Sequence, residues 1–545
     1  MSSKNIDLVC VYCHHRMPYN KPTPECPVCG ENILEAHYDL EPLKNGNWAR
    51  LIKDRKPSLW RYHELLPLHD THNVVTLGEG ATPLLHMPQL GSMLGLKHLY
   101  VKDERQGPTG SFKDRQASVA ISVMREMGIS EAVVASTGNV AMAYAAYAAR
   151  AGIKLWVFLT SLVPGDKMRE VALYGAEVIK VTGTYDETKL VANRFAKSKG
   201  LYEDRGIKSI AAVESMKTMA YEIAEQLGRA PDWFIQGVSG GMGPIGVAKG
   251  FRELMELGVV DHIPSLGIVQ SAGCAPMTNA WKAGQPIATP VESPETLIAT
   301  LSTGNPGRAY QMLYDTMQAY GGAAESATDE EAFNALRILA RTEGVSIEPA
   351  TGVTFAGLIK LVRAGTIKPD DFVVVNCSGH TFPVEKHILG DQWKRDVDVA
   401  PVGKRINLPT EGLLSALEQV QAPLNRVLII EDNFDAARLV QRLLQARGKF
   451  EVMIANDGAQ GLRIVREQRP DLVITDIMMP GVDGFQVIEE INADDDLRDI
   501  PIIVLTAKEL TVYERERLSG QIEALLQKGS TLDEDLLQNI LNALN

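Results

Sequence analysis

Four of the six cysteines lie within the first 30 residues, in two closely spaced pairs: Cys10 and Cys13, then Cys26 and Cys29. Each pair spans a tight turn that can aim two thiolates at one point, and four thiolates complete a closed tetrahedral zinc site. Such a site has no open position and is therefore structural, and its metal would supply folding free energy that so short a segment lacks. The two histidines after Cys13 are rival ligands. We predict that the four cysteines bind Zn²⁺.

A lysine at a predicted strand-to-helix junction, Lys113, is the candidate for covalent chemistry. It closes the turn Pro-Thr-Gly-Ser-Phe-Lys at residues 108–113, just before a helical pattern that begins near Gln116. Burial in a cleft lowers the pKa of a lysine, and the neutral amine attacks an aldehyde. Because most lysines are solvated, the hypothesis that Lys113 holds pyridoxal phosphate (PLP) as a Schiff base depends on three further loops.

Two polar loops follow predicted strands, at the strand ends where parallel sheets bind ligands. The first contains Ser136, Thr137 and Asn139 before a helix, whose free N–H groups suit the carboxylate of an amino-acid substrate. Asn139 could also bond the phenolic oxygen of PLP. In the second loop, after the strand Phe372–Val375, the hydroxyl of Ser378 could bond the pyridine nitrogen.

A glycine-rich loop lies between the predicted strand Trp233–Ile235 and a helical pattern over Ile245–Glu253. Glycine amides can wrap around a phosphate without clash from side chains, so the loop is predicted to hold the cofactor phosphate. It has neither the lysine of a nucleotide P-loop nor a clean G-x-G-x-x-G pattern. The predicted phosphate ligands are Ser239, Gly240, Gly241, Met242 and Gly243.

A second set of reactive groups lies in residues 425–545. Glu431, Asp432 and Asp476 follow two predicted strands, Thr506 follows a third, and Lys528 comes after a further apolar run. In a doubly wound sheet these strand ends meet at one edge. Crowded carboxylates suit Mg²⁺, which bridges oxygen ligands to a phosphoryl group, and Asp476 can then form an aspartyl phosphate. Thr506 and Lys528 would bond the phosphoryl oxygens.

The elements that must position these groups follow an α/β rhythm. Short apolar runs such as Leu155–Leu159 alternate with helical stretches such as Val140–Ala151, which predicts a largely parallel sheet. Proline and glycine then punctuate a stretch that could hold a short helix over Thr410–Val420, after which the rhythm restarts. We predict a head over residues 1–40, a catalytic domain over 41–400, a linker over 401–424 and a further domain over 425–545.

Composition excludes several classes of partner. The net charge of −13 argues against sequence-independent binding to nucleic acid and against binding to an anionic membrane surface. The polar N-terminus predicts no signal peptide, and no apolar run approaches the roughly 20 residues that span a bilayer. We expect a cytoplasmic protein, in a reducing compartment where clustered cysteines bind metal instead of forming disulfides.

The motifs around Lys113 and the three loops resemble, in this order, the threonine synthase family of fold-type II PLP enzymes. The matching segments are Leu77–Leu84, Pro108–Arg115, Gly304–Pro306, Ile347–Ala350 and Ser378–His380. The resemblance implies an α/β fold like that of the tryptophan synthase β chain. The cysteine-rich head resembles the zinc ribbon that part of this family carries. Gln116 departs from the family, which usually has glycine there.

The resemblance also implies roles for the residues already singled out. Lys113 is the Schiff-base lysine and general base, Asn139 binds the ring oxygen, Ser239–Gly243 hold the phosphate, Ser378 faces the pyridine nitrogen, and Ser136 and Thr137 help to bind the substrate carboxylate. The implied reaction converts O-phospho-L-homoserine and water into L-threonine and phosphate, with PLP as the electron sink. Candidates for binding the substrate phosphate are Arg105, Arg115 and Lys167.

Two alternatives to this function stay open. One is another fold-type II reaction, such as serine or threonine dehydration or a β-replacement. The other is a signalling protein whose PLP module only binds an amino acid. We further expect a small amino-acid substrate and a homodimer.

Residues 425–545 resemble a response-regulator receiver domain, with a flavodoxin-like doubly wound fold. The resemblance makes Glu431 and Asp432 the acidic metal pair, Asp476 the phosphoacceptor, and Thr506 and Lys528 the switch residues. A histidine kinase or phosphotransfer protein would then be a partner. An aromatic switch residue is replaced by leucine at position 525, and the proline that usually follows the lysine is replaced by glycine at position 529.

Overall fold

The computed structural model describes residues 6–20, 25–160, 163, 165–380, 395–398, 426–432, 437, 440–441, 444, 451–506, 514, 517–518 and 520–527. The chain divides into two compact units, Met1–Val399 and Ala400–Ala543. The predicted linker over residues 401–424, with its helix over Thr410–Val420, lies outside the described residues. Within the described ranges, no helix is both long enough and apolar enough to cross a membrane.

The cysteine-rich head folds as a small antiparallel sheet. Its strands are β1 (Ile6–Cys10), β2 (Arg16–Pro18) and β3 (Leu34–Tyr38), in the order β2-β1-β3. Alternate residues of β1 are buried, as expected for a strand with one apolar face. These buried side chains, including Ile6 and Leu8, belong to the same apolar cluster as helices farther along the chain. The head therefore shares a core with the larger part of its unit.

Two largely parallel sheets form the body of the first unit, Met1–Val399. Its strands are β4 (Leu84–His86), β5 (His98–Asp103), β6 (Glu131–Ser136), β7 (Lys154–Thr160), β8 (Glu177–Thr182), β9 (Tyr202–Asp204), β10 (Trp233–Gly237), β11 (Ser265–Ser271), β12 (Gly322–Ala327), β13 (Phe372–Cys377) and β14 (Arg395–Asp398). One sheet has the order β12-β11-β10-β13-β5-β4 and the other β14-β8-β7-β6-β9. Only β4 pairs antiparallel to its neighbour among these described strands. Near-continuous apolar runs such as the Val-Val-Val of β13 suit strands that helices cover on both faces.

Helices pack around these sheets. They are α1 (Asn47–Lys53), α2 (Pro88–Leu94), α3 (Lys113–Glu126), α4 (Asn139–Ala151), α5 (Gly165–Leu173), α6 (Tyr185–Lys199), α7 (Ile210–Leu227), α8 (Met242–Glu256), α9 (Pro276–Lys282), α10 (Arg308–Tyr320), α11 (Asp329–Glu343) and α12 (Pro349–Arg363). The predicted α/β architecture is confirmed.

Two helices begin earlier than the sequence pattern predicts. Helix α3 starts at Lys113 instead of near Gln116, because the Asp114 carboxylate accepts hydrogen bonds from the N–H and hydroxyl of Thr109 and closes the preceding turn. Helix α8 starts at Met242, inside the predicted glycine-rich loop. Both shifts bring predicted site residues into the first turn of a helix.

A buried ion network joins β5, α3 and α7. The guanidinium of Arg115 contacts Glu104 at 2.7 Å and Glu222 at 2.7 Å, and Lys102 contacts Glu222 at 2.7 Å. Although burial opposes ionisation, Arg115 and Lys102 hold the pKa of Glu222 well below its ordinary value. Arg115 is fully buried and satisfied here, so its candidacy for the substrate phosphate is wrong.

The second unit carries a five-stranded parallel sheet. Its elements are β15 (Arg426–Ile430), β16 (Glu451–Ala455), α13 (Gly458–Gln468), β17 (Leu472–Thr475), α14 (Gly484–Ala493), β18 (Ile502–Thr506) and β19 (Ala524–Gln527). The order β16-β15-β17-β18-β19 is the doubly wound arrangement, in which the chain reverses direction beside its first strand. The predicted flavodoxin-like fold is confirmed.

Candidate functional site

Lys113, the predicted Schiff-base lysine, is the first residue of α3, in the segment that follows strand β5. Lys113 lines a cavity of about 790 Å³, and its ammonium lies 4.2 Å from the ring centroid of Phe112. Burial lowers the pKa of Lys113 to about 8, although the carboxylates of Glu348 and Asp204 oppose this shift. Roughly a tenth of the amine is therefore neutral at pH 7, and the neutral form is the one that nucleophilic chemistry requires.

The glycine-rich loop forms another wall of the same cavity. The residues from Ser239 to Gly243 all line it. Gly241, the N-cap of α8, adopts a φ of +77°, and a Cβ there would lie 2.5 Å from the Leu313 side chain. A Cβ on Gly240 would meet no atom within 4 Å, so this backbone faces open space. The first N–H groups of α8 have no intrahelical acceptor, and such a terminus fits a phosphate.

Asn139 and Ser378, the predicted ring-binding residues, converge on one buried carboxylate. Asn139 Nδ2 donates to Glu348 Oε2 at 2.8 Å, and Ser378 Oγ donates to Glu348 Oε1 at 2.8 Å. Lys167 Nζ donates to Asn139 Oδ1 at 2.8 Å and lies 3.6 Å from the same carboxylate. The hydroxyls of Ser378 and Thr351 are 2.9 Å apart. The polar side chains of this wall are thus held by one another.

Glu348 was missed as a site residue by sequence reasoning, although its segment carried part of the family resemblance. It precedes Pro349 at the start of α12 and makes no side-chain capping bond to the helix. Ser, Thr, Asp and Asn are the usual N-cap residues. A glutamate at this position, before a proline that needs no N–H acceptor, was the signal that its carboxylate serves another purpose.

The two residues predicted to bind the substrate carboxylate are placed differently. Thr137 lines the cavity. Ser136 is buried and is not among the lining residues, and its Oγ accepts hydrogen bonds from the backbone N–H groups of Gly138 and Ala141, each at 3.0 Å. The Ser136 hydroxyl therefore shapes the loop that carries Thr137 and Asn139, and the structure does not bring it to the cavity.

The candidates for the substrate phosphate also change. Arg105 is bound to Asp103 at 2.7 Å and does not line the cavity, and Lys167 is engaged with Asn139 and Glu348. The cavity wall instead carries four cations that sequence reasoning did not identify: Lys189, Arg205, Lys208 and Arg308. Lys189 lies in helix α6, Arg205 and Lys208 precede helix α7, and Arg308 is the first residue of helix α10. No sequence motif marked these positions.

The four cysteines of the head meet at one point. Cys10 Sγ lies 3.5 Å from Cys29 Sγ, and Cys13 Sγ lies 3.4 Å from Cys26 Sγ. All four sulfur atoms lie within 4.8 Å of one another, in a cluster that includes neither neighbouring histidine. Four converging thiols at this spacing are the donor set that Zn²⁺ takes in tetrahedral structural sites.

The second unit brings its predicted acidic groups together at one sheet edge. Carboxylate oxygens of Glu431, Asp432 and Asp476 lie within 4.8 Å of one another. Asp476 is buried and its Oδ1 accepts from Met478 N at 3.1 Å, while Thr506 is buried at the end of β18. An all-oxygen set of this kind fits Mg²⁺. Lys528 lies outside the described residues.

Comparison with known families agrees with this division. The model of the family described as pyridoxal-phosphate dependent enzyme matches residues 75–379. The model of the response regulator receiver domain matches residues 427–541. These matches include the cavity loops from β5 to β13 and the acidic edge from Glu431 to Thr506.

Several relatives are threonine synthases. The threonine synthase of Methanocaldococcus jannaschii is 38% identical over 354 residues, 65% of this chain and 87% of that protein. The threonine synthase of Methanosarcina acetivorans is 36% identical over 375 residues, 68% and 91% of the two chains. Among solved structures, the processed form of threonine deaminase isoform 2 from Solanum lycopersicum gives a TM-score of 0.49 at 21% identity, over 60% of this chain and 92% of that chain.

Proposed function

The chain belongs to the family of pyridoxal-phosphate dependent enzymes, as a threonine synthase-like lyase with a receiver domain, and on that premise we propose that it converts O-phospho-L-homoserine and water into L-threonine and phosphate. One observation supports the proposal most strongly. A single cavity collects Lys113, Thr137, Asn139, the Ser239–Gly243 loop and Ser378.

Each wall of the cavity would have a separate task. Lys113 would hold PLP covalently, the N–H groups of Ser239–Gly243 would hold its phosphate, and Asn139 and Ser378 would bind its ring. Bound PLP supplies an electron sink for charge that develops beside the substrate amino group. Lys113 Nζ, with a pKa lowered to about 8, can accept and return a proton near neutral pH.

Glu348 would keep the ring-binding wall in order. Its carboxylate accepts hydrogen bonds from both Asn139 and Ser378 and is itself buried. Hydrogen bonds to a charged group are stronger than those between neutral groups, so both side chains would be held in fixed rotamers. Because these side chains are already ordered before a ligand binds, binding costs less conformational entropy.

The test is a substrate comparison on purified full-length protein. We expect O-phospho-L-homoserine to release phosphate and L-threonine in equal amounts, with no ammonia from L-threonine or L-serine. Ammonia release without phosphate release would overturn the proposal and favour a dehydratase. Lys113→Ala serves as the control for contaminating activity.

The head would bind one structural Zn²⁺ through Cys10, Cys13, Cys26 and Cys29. The convergence of the four sulfur atoms supports this assignment. We expect elemental analysis to find one zinc per chain and Cys26→Ser to lose it. Retention of stoichiometric zinc in that variant would contradict the assignment.

The receiver would accept a phosphoryl group on Asp476, with Mg²⁺ held by Glu431, Asp432 and Asp476. A kinase or phosphotransfer protein would supply the phosphoryl group, and the modification would change the activity of the enzyme on the same chain. The clustered carboxylates support the chemistry. Equal kinetic constants for phosphorylated protein and an Asp476→Ala variant would defeat the regulatory part.

A further inference from the structure

Part of the wall of the PLP cavity comes from the cysteine-rich head. Glu31, Asn32 and Ile33 line the cavity together with Lys113. Their backbone is fixed by the second cysteine turn, since Cys26 N donates to Glu31 O at 2.8 Å and Gly30 N donates to Cys26 O at 2.9 Å. Any metal that holds Cys26 and Cys29 would therefore also fix this part of the wall.

The Glu31 carboxylate joins the head to the cavity cations. Glu31 Oε2 lies 3.0 Å from Arg308 Nε, and the Glu31 side chain is only 16% exposed. The guanidinium carbon of Arg308 also lies 5.1 Å from the ring centroid of Tyr12, so two head residues hold this side chain. Arg308 opens helix α10, directly after the cavity-lining residues from Asn305 to Gly307.

A second cation lines the same cavity. Lys208 is among its lining residues, and within the described part of the chain no carboxylate forms an ion pair with it. Burial and Arg205 lower the pKa of Lys208, whereas Glu31 opposes this shift. A guanidinium held by a carboxylate and an ammonium that faces the same cavity are both groups that bind phosphate.

The head does not need Glu31 in order to dock. Arg252 of α8 is paired with Glu35, and Lys249 donates to the backbone oxygen of Ala36. Tyr38 OH donates to Glu214 of α7 at 2.9 Å. These contacts anchor β3 away from the cavity-lining residues, which leaves Glu31 available to orient Arg308.

We infer that the metal-binding head is part of the substrate site. Glu31 is a positioning residue that orients Arg308, and Arg308 together with Lys208 of the same cavity binds the phosphate of the substrate. The metal state of the head therefore sets the affinity for phosphorylated amino acids. The identity of the substrate rests on the proposed function. The coupling between head and cavity rests on the contacts that Glu31 and Tyr12 make with Arg308.

The experiment uses full-length protein with PLP and zinc bound. The visible spectrum of the cofactor is titrated with O-phospho-L-homoserine and, separately, with L-serine, which lacks the phosphate. Because partly exposed ion pairs contribute up to about 1 kcal/mol, Glu31→Gln should weaken the affinity for the phosphorylated ligand about two- to fivefold. Affinity for L-serine and kcat should stay unchanged. Arg308→Ala should weaken the phosphorylated ligand by roughly tenfold or more.

Two controls separate positioning from a merely structural effect. Asp7→Asn removes a carboxylate from the same head, where it pairs with the exposed Arg16 and does not line the cavity, and should leave both affinities unchanged. Glu31→Gln introduced into Arg308→Ala should have no further effect, because Glu31 acts through Arg308. Equal weakening of both ligands in Glu31→Gln, or the same phosphate-specific loss in Asp7→Asn, would overturn the inference.

Metal removal supplies an independent readout. Zinc content is measured by elemental analysis after treatment with a chelator, and PLP content from the visible spectrum. Loss of zinc should weaken O-phospho-L-homoserine binding in the wild type and have a much smaller effect in Arg308→Ala. Unchanged affinity after complete zinc loss would also overturn the inference.

The outcomes distinguish the inference from the proposed function. Turnover of O-phospho-L-homoserine by the wild type with an unchanged KM in Glu31→Gln refutes the inference alone. If the wild type does not turn over this ligand, the proposed function fails, and inorganic phosphate becomes the probe. A Glu31-dependent affinity for inorganic phosphate would then still support the inference, and an affinity independent of Glu31 would refute it.

Discussion

The receiver unit and the catalytic unit assemble their reactive groups in different ways. In the receiver, Glu431, Asp432 and Asp476 follow parallel strands of one sheet, and Thr506 is the last residue of another strand in it. The catalytic cavity has such residues too, since Lys113 follows β5 and Ser378 follows β13.

The catalytic cavity also uses residues that follow no strand. Glu348 and Arg308 stand at the starts of helices, and Glu31 belongs to the head. When a site lies at one sheet edge, its residues can be predicted from the sequence as those that follow strands. A cavity lined by loops from several layers also contains residues that no local sequence pattern identifies.

The largest expected effect tests the strand-end part of the cavity. Lys113→Ala should lower turnover by about 10²- to 10⁴-fold, which is the rate enhancement that a general acid–base group contributes. The variant should also no longer retain PLP covalently. Phosphate release and the visible spectrum provide the measurements. Lys97→Ala, which removes an exposed lysine paired with Asp370, is the matched control and should keep full activity. An active Lys113→Ala enzyme would remove the basis for the cavity assignment.

The next effect concerns the ion network beneath Lys113. Glu222→Ala leaves Arg115 and Lys102 short of a buried partner, so the free energy of unfolding should fall by about 3–5 kcal/mol. Every tryptophan lies within the catalytic unit, so urea unfolding followed by tryptophan fluorescence reports on that unit alone. Asp370→Ala, at the surface, should change little. A similar small change in Glu222→Ala would show that the network is not needed for stability.

Glu348→Gln tests a cavity residue that follows no strand. The substitution removes the negative charge of the carboxylate that accepts hydrogen bonds from Asn139 and Ser378. Because hydrogen bonds to charged groups contribute roughly 1.5–3 kcal/mol, kcat/KM should fall about ten- to hundredfold. Glu343→Gln is the control, because Glu343 accepts from Leu90 N and does not line the cavity. Wild-type kinetics in Glu348→Gln would limit the working site to strand-end residues.

Asp432→Asn provides the corresponding test in the receiver. Removal of one of three clustered carboxylates should weaken Mg²⁺ binding by about tenfold or more, measured by titration calorimetry. The kinetics of the unphosphorylated enzyme should not change. Asp496→Asn, at an exposed ion pair with Arg469, should leave Mg²⁺ affinity intact. Equal Mg²⁺ affinity in both variants would argue against a metal site at this sheet edge.

The smallest expected effect is a shift in pH dependence. Only the neutral amine of Lys113 attacks an aldehyde, so the rate at which PLP restores the visible spectrum of apoenzyme should rise with pH, with its midpoint at about pH 8, and level off at higher pH. At pH 7 roughly a tenth of the amine is neutral. Because Glu348 holds the pKa up, Glu348→Gln should move the midpoint to lower pH. A midpoint near that of free lysine would contradict the effect of burial.

The positions of the strand-end residues were predictable because local patterns encode them. An apolar run marks a buried strand, and a glycine or polar motif directly after it marks the loop at the sheet edge, as for Ser239–Gly243. The starts of α3 and α8 were less predictable. The start of α3 depends on the hydrogen bond between Thr109 and Asp114, and the start of α8 depends on the left-handed backbone of Gly241. Neither feature changes the spacing of apolar residues from which helices are predicted.

The amino-acid sequence alone determined the two α/β units, the clustered thiols, the lysine and the acidic edge, since each follows from spacing along a few tens of residues. Tertiary structure alone decided that Ser136 supports a loop, that Arg115 is locked in a buried network, and that Glu31, Arg308 and Glu348 line the cavity. Such partners are up to 277 residues apart, as Glu31 and Arg308 are. Contacts over that separation arise only when packed layers bring distant loops together, and no local pattern of residues records them.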